Sequence, residues 1–421
     1  MKENMSDPNK SSLRIMICAG EVSGDMHAAA LMQALRERLG RPVVFRGFGG
    51  DAMAAEGAEL LYHTNRTAIM GITPVLRHLP FLLGMMRHMK REILAWQPDL
   101  LLTVDYPGMN LRLARFAHEH GVKAAHYICP QVWAWHRGRI PKIARFLDML
   151  LCILPFEPEL FKATQLNVCF TGHPLVDRVT ETRAAPVVAL PWQGDCRVAL
   201  LPGSRKSEIT RILPCLLESA AILEQRLDGD CSFIIPAPNA KIKRMGEEIA
   251  ASAPIKPQSL FFIEGQARHV MMQAHAAAVT SGTATLEACL LRCPTVLVYA
   301  VSAFTAFCAR LLIKGVKYIG LANIISGREI MPELLQEKMR AESVAETLHA
   351  YLSDAAVRAR ALRDMDEANA RLGMGGAAGR AAEALIEGMA LGDGCDATLL
   401  HPPRIQDAGL RTQDADDVDS H

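Results

Sequence analysis

Short runs of aliphatic and β-branched residues alternate with longer stretches of helical periodicity along most of the chain. LRIMIC (13–18) and VVFRGF (43–48) are two such runs, and MHAAALMQALRERL (26–39) between them has the spacing of a helix that stops at Gly40. Strands and helices alternate in this way when parallel strands are joined by crossover helices. The pattern therefore predicts an α/β fold built on a parallel sheet.

The alternation begins again near residue 197. RVALL (197–201) leads into the loop PGSRKSE and a long amphipathic helix, and SFIIP, LFFIEG, AAAVTSG and PTVLVY continue the series of strands. Two halves that each open with strand, loop and helix predict two Rossmann-like domains, residues 1–185 and 186–365. The proline-containing stretch 182–195 is the natural linker between them.

The composition narrows the functional classes. Half of the 421 residues are hydrophobic and 22% are charged, and a formal net charge of +1 gives no reason to expect a polyanionic partner.

The cysteines include no CxxC pair, so we expect reduced thiols in a cytosolic compartment and no metal site. The N-terminus lacks the apolar core of a signal peptide. Residues 391–421 contain seven Asp, two Arg and no Glu, which predicts a disordered acidic tail.

AGEVSGD (19–25) directly follows the first predicted strand and precedes a helix. A turn in this place directs backbone N–H groups and the helix dipole into the crevice at the strand ends, which makes Glu21, Ser23 and Asp25 acceptor or loop candidates. The alternative is a turn that merely needs its two glycines. The later stretch FRGFGGDAM lacks the glycine register of a dinucleotide fingerprint, so no nicotinamide cofactor is expected.

LPGSRKSEI (201–209) places Arg205 at the start of a helix, with Ser204 able to cap it. A guanidinium group at a helix N-terminus is well suited to bind a diphosphate. The alternative is a solvated arginine that pairs with Glu208.

SGTATLE (281–287) ends a strand and begins a helix, so Ser281, Gly282 and Thr283 form a further anion-binding terminus. Glu287 lies about one turn into that helix, where a carboxylate can accept both hydroxyls of a nucleotide ribose. The alternative is a glutamate that only interacts with the helix dipole.

VDYPGMN (104–110) puts Asp105 at the carboxyl end of an apolar strand, where it borders the crevice. Asp105 is therefore either a candidate general base or the cap of the following turn. PQVWAWHRGRI (130–140) combines Trp135 with cationic groups, which suits sugar stacking, and buried packing explains the tryptophans almost as well. His173, beside a proline in TGHPLVD, is either structural or functional.

Residues 69–91 combine apolar and cationic side chains, and no Asp or Glu occurs between Glu59 and Glu92. A basic, apolar segment that is too broken to span a bilayer suits interfacial docking on anionic lipid. The alternative is a core helix with a solvated basic edge. The docking candidates are Leu76, Arg77, Leu79, Phe81, Leu82, Met85, Arg87, Lys90 and Arg91.

Together these motifs resemble those of the lipid-A-disaccharide synthase family over residues 13–390. The matching motifs, in the order that the family has them, are AGEVSGD, MGI, VDYPGMN, CPQVWAWHRGR, LPFE, GHPLVD, LPGSRKSEI, SGTATLE and MPELLQ. A single match of this kind would be weak, but the whole ordered series is specific. The chain departs from the family at Gly108, where aspartate is common, so this loop offers no second carboxylate beside Asp105.

The resemblance implies a GT-B fold, in which two Rossmann-like domains face each other across a cleft and a helix within residues 366–390 crosses back to the first domain. It implies an inverting hexosyltransferase of lipid A and lipopolysaccharide biosynthesis, with no cofactor and no catalytic metal. Such an enzyme joins UDP-2,3-diacylglucosamine to 2,3-diacylglucosamine 1-phosphate through a β-1,6 bond and releases UDP. By motif, Asp105 would be the base, and the donor would be held by Arg205, Ser281, Gly282, Thr283, Glu287, Asn323, Arg328 and Gln336.

The acyl chains of these substrates stay in the bilayer, so the resemblance implies a cytoplasmic enzyme that is peripheral on the inner face of the inner membrane. No nucleic-acid partner is expected. The oligomeric state stays open, with a homodimer as one arrangement. One rival is a UDP-sugar 2-epimerase or another GT-B sugar-nucleotide enzyme, which the basic apolar segment disfavours. Another is a non-enzymatic membrane adaptor that would bind the nucleotide and turn nothing over.

Overall fold

The fold is described by a computed structural model that covers residues 12–66, 72–134, 137–301 and 317–392. Trp135 therefore lies outside the described residues, as do the side chains of Leu76 and Arg77 and nearly all of the predicted acidic tail. Among the described helices, none combines the length and the apolar content needed to cross a membrane.

The first half of the chain forms a parallel seven-stranded sheet in the order β3-β2-β1-β4-β5-β6-β7. Its strands are β1 (Leu13–Ala19), β2 (Val43–Gly49), β3 (Glu59–His63), β4 (Leu100–Val104), β5 (Lys123–Tyr127), β6 (Met149–Cys152) and β7 (Asn167–Phe170). The helices of this half are α1 (Val22–Arg38), α2 (Asp51–Ala55), α3 (Ile72–Trp96), α4 (Pro107–Glu119), α5 (Ile140–Phe146), α6 (Glu157–Leu160) and α7 (Leu175–Ala184).

The second half forms a parallel six-stranded sheet in the order β10-β9-β8-β11-β12-β13. Its strands are β8 (Cys196–Leu201), β9 (Cys231–Ala237), β10 (Leu260–Glu264), β11 (Ala276–Thr280), β12 (Thr295–Tyr299) and β13 (Glu333–Leu335). The described helices that follow α7 are α8 (Lys206–Arg226), α9 (Ala240–Ser252), α10 (Ala267–Gln273), α11 (Thr283–Leu290), α12 (Leu321–Ser326), α13 (Ala341–Ser353), α14 (Ala355–Arg371) and α15 (Ala377–Gly388).

The central strands read as continuous apolar runs because helices cover both faces of each sheet. All five residues of β4 and of β11 are buried. In the first sheet, Ile15 and Ile17 pack on the side of α1, whereas Met16 and Cys18 pack on the side of α3 and α4. Successive residues of one strand thus face opposite helix layers, as the two-residue period of a strand requires.

Strand order reverses once in each sheet, between β1 and β4 and between β8 and β11. Ile15 pairs with Phe45 of β2 on one side and with Leu100 of β4 on the other. Chains leave the two strands of such a pair in opposite directions, which opens a crevice at their carboxyl ends. The four loops at these ends contain AGEVSGD, VDYPGMN, LPGSRKSE and SGTATLE.

The last helix, α15, packs against the first sheet although it follows the second in the chain. Ala381, Ala382 and Leu385 belong to the same buried apolar cluster as Leu31 and Leu35 of α1. Hydrogen bonds hold the connection, because the side chain of Arg380 donates to the Thr171 carbonyl at 2.8 Å and Asp177 accepts from the backbone of Ala377 at 3.2 Å. The C-terminal helix therefore completes the core of the N-terminal half.

One local prediction needs correction. Helix α1 begins at Val22, not at Met26, because the residue that caps it is Glu21 in extended conformation. The chain therefore enters the helix inside the AGEVSGD motif. Most of the basic, apolar segment 69–91 lies in α3, which continues through Pro80.

The docking of α15 predicts a strong effect of a buried charge. Ala382→Asp should lower the free energy of unfolding by about 3 kcal/mol, since Ala382 is fully buried and a carboxylate there lacks a partner. Urea unfolding of the whole chain measures this. The control is Glu383→Ala on the exposed face, which breaks only a surface ion pair with Arg38 and should cost less than about 1 kcal/mol. Equal stabilities of the two variants would contradict the docking.

Candidate functional site

A cavity of about 670 Å³ lies at the carboxyl edge of the second sheet. Residues from the loops after β8, β9, β10 and β11 form its walls, so the strand-order reversal positions it. Its polar lining side chains are Thr182, Ser204, Arg205, Glu208, Gln266, Arg268, His269, Thr280, Ser281, Thr283 and Glu287.

Strained backbone marks the facing edge of the first sheet. Asp105, Tyr106 and Ile128 have φ angles of 49°, 50° and 74° at the ends of β4 and β5. This left-handed conformation is uncommon for residues other than glycine, and it concentrates at functional sites, where the surroundings hold it. The side-chain amide of Asn110 supplies such support by donating to the carbonyls of Cys18, Val104 and Asp105 at 2.7–3.2 Å.

The Asp105 carboxylate is partly buried at this edge. The backbone N–H of Tyr106 donates to its Oδ1 at 2.8 Å, which leaves Oδ2 without a described hydrogen bond. Burial raises the pKa of Asp105, and the bond from Tyr106 opposes that rise. A carboxylate with a raised pKa at a strand end is suited to accept a proton.

Glu21 supplies the second carboxylate that the loop at Gly108 lacks. Burial raises the pKa of Glu21, the neighbouring Asp105 raises it further, and the guanidinium of Arg205 lowers it. The loops after β1 and β4 thus bring two acids together, and a cation from the other half of the chain acts on one of them. Glu21 is predicted from its motif as an acceptor or loop candidate, whereas its pairing with Asp105 has no signal in the sequence because the two loops are distant in the chain.

Gly20 is required by a close approach. A β-carbon there would overlap the ring of Tyr106, so the tyrosine lies directly against the glycine backbone. A β-carbon at Gly24 would meet Val104 O at 3.5 Å and Ala19 Cβ at 3.6 Å, which are ordinary contacts. The two glycines of AGEVSGD therefore have different roles, and only the first holds the ring that borders Asp105.

The loop after β8 brings Arg205 to the cavity. Helix α8 begins at Lys206, and Arg205 rather than the predicted Ser204 is the residue before it. Glu208 Oε2 instead caps the helix by accepting from the backbone N–H groups of Ser204 and Arg205 at 3.0 and 3.2 Å. The Arg205 side chain is exposed, and its Nη1 lies 3.4 Å from Glu208 Oε1. Arg205 therefore pairs with Glu208 and also lines the cavity.

The loop after β11 forms the opposite wall. Gly282, with φ of 148°, precedes α11, and Ser281, Gly282 and Thr283 all line the cavity. Glu287 lines it one turn later. Two buried atoms of residues that line the cavity, Thr280 Oγ1 and His269 Nδ1, have no hydrogen-bond partner within the described chain. Unpaired polar atoms in a cavity are available to a polar ligand.

Three predicted donor residues do not line this cavity. Asn323 is buried, and its amide donates to Met331 O and accepts from two backbone N–H groups at 2.8–2.9 Å. Arg328 pairs with Asp364 and Glu367 at 2.7 and 2.8 Å. The Gln336 amide lies 3.2 Å from both backbone polar atoms of Val301. The hydrogen-bonding atoms of Asn323 and Arg328 already bond to other protein groups. The structure therefore does not support direct contact of either residue with the sugar-nucleotide substrate.

Two acceptor candidates also have structural roles. Asp25 is buried and accepts from the backbone N–H groups of Gly50, Ala52 and Met53 at 2.6–3.1 Å, so it caps α2. His173 is buried, and its Nδ1 accepts from the Leu175 N–H at 3.1 Å. Burial lowers the pKa of His173 to about 3, with a smaller effect of His27, so the ring is neutral. Ser23 is exposed on the first turn of α1.

A cluster of metal-ligand types lies apart from the cavity. The ligand atoms of Cys129, Cys152 and Glu157 are within 4.8 Å of one another, and all three residues are buried. Glu157 Oε2 accepts from the backbone N–H groups of Ile153 and Leu154 at 3.2 and 3.0 Å. Burial raises the pKa of Glu157 to about 8, so the acid is largely protonated at neutral pH. These contacts fix the turn after β6.

The two glycines give a matched stability test. Gly20→Ala should lower the free energy of unfolding by roughly 1–3 kcal/mol, because the methyl group displaces the Tyr106 ring. Gly24→Ala, in the first turn of α1, should be neutral or stabilising by up to about 1 kcal/mol through helix propensity. Denaturant unfolding distinguishes the two. The close approach of Tyr106 is refuted if Gly20→Ala is as stable as the natural chain.

The sequence of this chain is similar to those of known proteins. A family model described as lipid-A-disaccharide synthetase matches residues 15–381. The chain is 40% identical over 379 residues to the lipid-A-disaccharide synthase of Myxococcus xanthus (strain DK1622), covering 89% of this chain and 97% of that protein. It is 39% identical over 377 residues to the lipid-A-disaccharide synthase of Chromohalobacter salexigens, covering 89% and 96%.

Solved structures share the fold at low identity. A putative UDP-N-acetylglucosamine 2-epimerase from Listeria monocytogenes is similar with a TM-score of 0.62 at 14% identity, over 91% of this chain and 98% of that one. The glycosyltransferase of kitacinnamycin is similar with a TM-score of 0.62 at 15% identity, over 90% and 100%. Two facing parallel sheets and these neighbours identify the fold as GT-B. The family resemblance is confirmed by the sequence matches: the chain belongs to the lipid-A-disaccharide synthase family, the glycosyltransferases of lipid A biosynthesis.

Proposed function

We propose that this chain joins UDP-2,3-diacylglucosamine to the 6-hydroxyl of 2,3-diacylglucosamine 1-phosphate with inversion, which forms a β-1,6 bond and releases UDP. The observation that carries the proposal is the arrangement of charges at the strand ends, where acidic groups of the first half lie near a cation of the second half. Two carboxylates, Glu21 and Asp105, lie on the edge of the first sheet, and Arg205 from the second half acts on Glu21. In-line displacement needs this arrangement, with a base at the acceptor and positive charge at the leaving group.

The cavity wall is the proposed donor site. The diphosphate would lie between Arg205 and the N-terminal residues of α11, where a guanidinium and a helix dipole both favour negative charge. Glu287 would accept the two ribose hydroxyls. Charge grows on the UDP oxygen as the anomeric bond breaks, so these groups stabilise the transition state more than the ground state.

Asp105 is the proposed base. It would take the proton of the acceptor 6-hydroxyl as the new carbon–oxygen bond forms, while the bonding pair of the anomeric C–O bond leaves with UDP. Its raised pKa makes proton transfer more favourable than it would be for a solvated carboxylate. Asp105 in turn raises the pKa of the neighbouring Glu21.

The charge pair predicts two distinct kinetic phenotypes. Asp105→Asn should lower acceptor-dependent UDP release by roughly 10²–10⁴-fold with little change in donor affinity, since only the base is lost. Glu21→Gln should leave the acid limb of the pH–rate profile nearly in place, because burial and the hydrogen bond from Tyr106, and not Glu21, determine the shifted pKa of Asp105.

Purified chain with both acylated substrates, assayed for UDP release across pH, tests these outcomes and the function itself. Conversion of the UDP-sugar without acceptor would identify a 2-epimerase, and binding without release would identify an adaptor. Near-normal turnover of Asp105→Asn would leave Asp105 as a turn cap.

We also assign the domain boundaries to the segments between the two sheets. Residues 185–195 contain no regular secondary structure and separate β1–β7 from β8–β13, which supports a boundary between residues 185 and 186. Helix α14 (Ala355–Arg371) packs with the second half as far as Leu372 and α15 packs with the first, so the proposed crossing segment begins after residue 372, later than the expected boundary at 365. Limited proteolysis that cuts within 185–195 and leaves two protected fragments would agree with this division.

We propose that the chain binds the inner face of the inner membrane through α3 and its neighbours. Leu79 and Leu83 are each 44% exposed, and Arg87 and Arg91 continue the same row at four-residue spacing. An apolar patch followed by cations on one helix face suits an anionic interface. Helix α4 packs against both α3 and α5, and the segment at the start of α5 adds further exposed cations: Arg137, Arg139, Lys142 and Arg145.

Not every predicted docking residue belongs to this row. Met85 is 1% exposed and packs in the core with Met89 and Ile93, so it cannot contact lipid. Phe81 is partly buried against the ring of Tyr62. Lys90 places its ammonium group 4.7 Å from the centre of the Phe116 ring. Leu82 is partly buried. The docking surface is therefore one face of α3, and the opposite face is core.

This surface predicts salt-sensitive vesicle binding. Arg87→Ser with Arg91→Ser should weaken binding to vesicles that contain anionic phospholipid by roughly 10- to 30-fold and reduce its salt dependence, at about 1 kcal/mol per cation. Sedimentation with vesicles measures this. The matched control is Lys241→Ser with Arg244→Ser on α9, which removes the same charge elsewhere. Equal losses for both pairs would mean that net charge, not the α3 row, determines binding.

A further inference from the structure

Glu287 needs a positive neighbour to serve as a hydroxyl acceptor. Its side chain is 19% exposed on the cavity wall. Burial raises the pKa of Glu287, whereas Arg268 and then Arg178 lower it. A buried carboxylate without compensating charge tends to take up a proton, and a protonated acid loses acceptor capacity.

Arg268 is held in place at two points. Its Nε lies 3.9 Å from Glu287 Oε1, and its Nη1 donates to the backbone carbonyl of Arg178 at 3.3 Å. The guanidinium thus spans from α10 to both α7 and α11. Because the distance to Glu287 exceeds a hydrogen bond, the pairing leaves carboxylate lone pairs available to a ligand.

Other charged groups on the elements around α11 have different contacts. Arg178 directs its own Nη2 to Met26 Sδ at 3.1 Å and does not line the cavity. Arg183 of α7 donates to the Leu290 carbonyl at the far end of α11. His269 lines the cavity next to Arg268, and Asp366 of α14 pairs with Arg292.

We infer that Arg268 is a positioning residue that orients Glu287 and maintains its charge for the two hydroxyls of the nucleotide ribose. The inference rests on the proposed function, because the ribose contact of Glu287 is part of it. The ligand class is a nucleoside diphosphate with both ribose hydroxyls. Arg268 acts on this ligand through the carboxylate, and Arg178 contributes by charge alone.

Calorimetry with UDP and with 2′,3′-dideoxy-UDP separates this role from direct contact. Arg268→Met should weaken UDP binding by roughly two- to fivefold at neutral pH, the size expected when a partly exposed ion pair no longer orients the acceptor carboxylate. It should leave the affinity for the dideoxy ligand unchanged. Arg268→Lys should recover part of the UDP affinity by restoring charge. Arg292→Met is the matched control outside the cavity and should change neither affinity.

The pH dependence gives a second readout. Removing Arg268 raises the pKa of Glu287, so UDP affinity in Arg268→Met should begin to fall at a higher pH, as the solution is acidified, than in the natural chain. Dideoxy-UDP should show no such difference. Arg178→Met should shift the profile in the same direction by a smaller amount.

Three results overturn the inference, and one of them also tests the proposed function. Equal losses for UDP and the dideoxy ligand in Arg268→Met would mean that Arg268 contacts the diphosphate or base directly. Unchanged UDP affinity in that variant, with a loss in Glu287→Ala, would sink the positioning role alone. Unchanged UDP affinity in Glu287→Ala would remove the proposed ribose contact itself, and the inference with it.

Discussion

The reversal of strand order in each sheet is the constraint on which the site depends. Crossover connections between parallel strands are right-handed, so the helices that follow β1 and β4 must lie on opposite faces of the sheet. Their loops diverge at the carboxyl edge and cannot fill the space between them. The same geometry at β8 and β11 produces a second gap. The groups that these four loops bring together come from distant parts of the chain.

That geometry also explains the electrostatics. Glu21 and Asp105 are partly buried near each other, which is unfavourable for two acids in isolation. The cation at Arg205 offsets part of this cost only because the second half of the chain faces the first. Backbone strain at Asp105 and Tyr106 is held by buried hydrogen bonds from Asn110. The close acids and the strained backbone that the proposed function uses therefore reduce the folding stability of this edge.

Sequence reasoning predicted the two sheets and the four loops well, because both depend on local periodicity and on one rule about strand ends. It could not predict the pairing of Glu21 with Asp105, which depends on two loops that are distant in the chain. It also could not tell which polar side chains are already satisfied, so Asn323 looked like a ligand residue although its amide holds a turn. Met85 is wrong as a docking residue because the predicted docking set includes apolar residues of the segment regardless of helix face, and Met85 lies on the buried face with Met89 and Ile93.

Helix α15 has a consequence for synthesis of the chain. Its apolar face packs against α1, which emerges from the ribosome more than 300 residues earlier. Until residue 388 has been made, the first sheet has one face without its final cover, and contacts of such long sequence separation form slowly. The N-terminal half therefore cannot mature as an independent unit during translation. A nascent chain that stalls in its second half exposes that apolar face to aggregation, and chaperone capture is one route that prevents it.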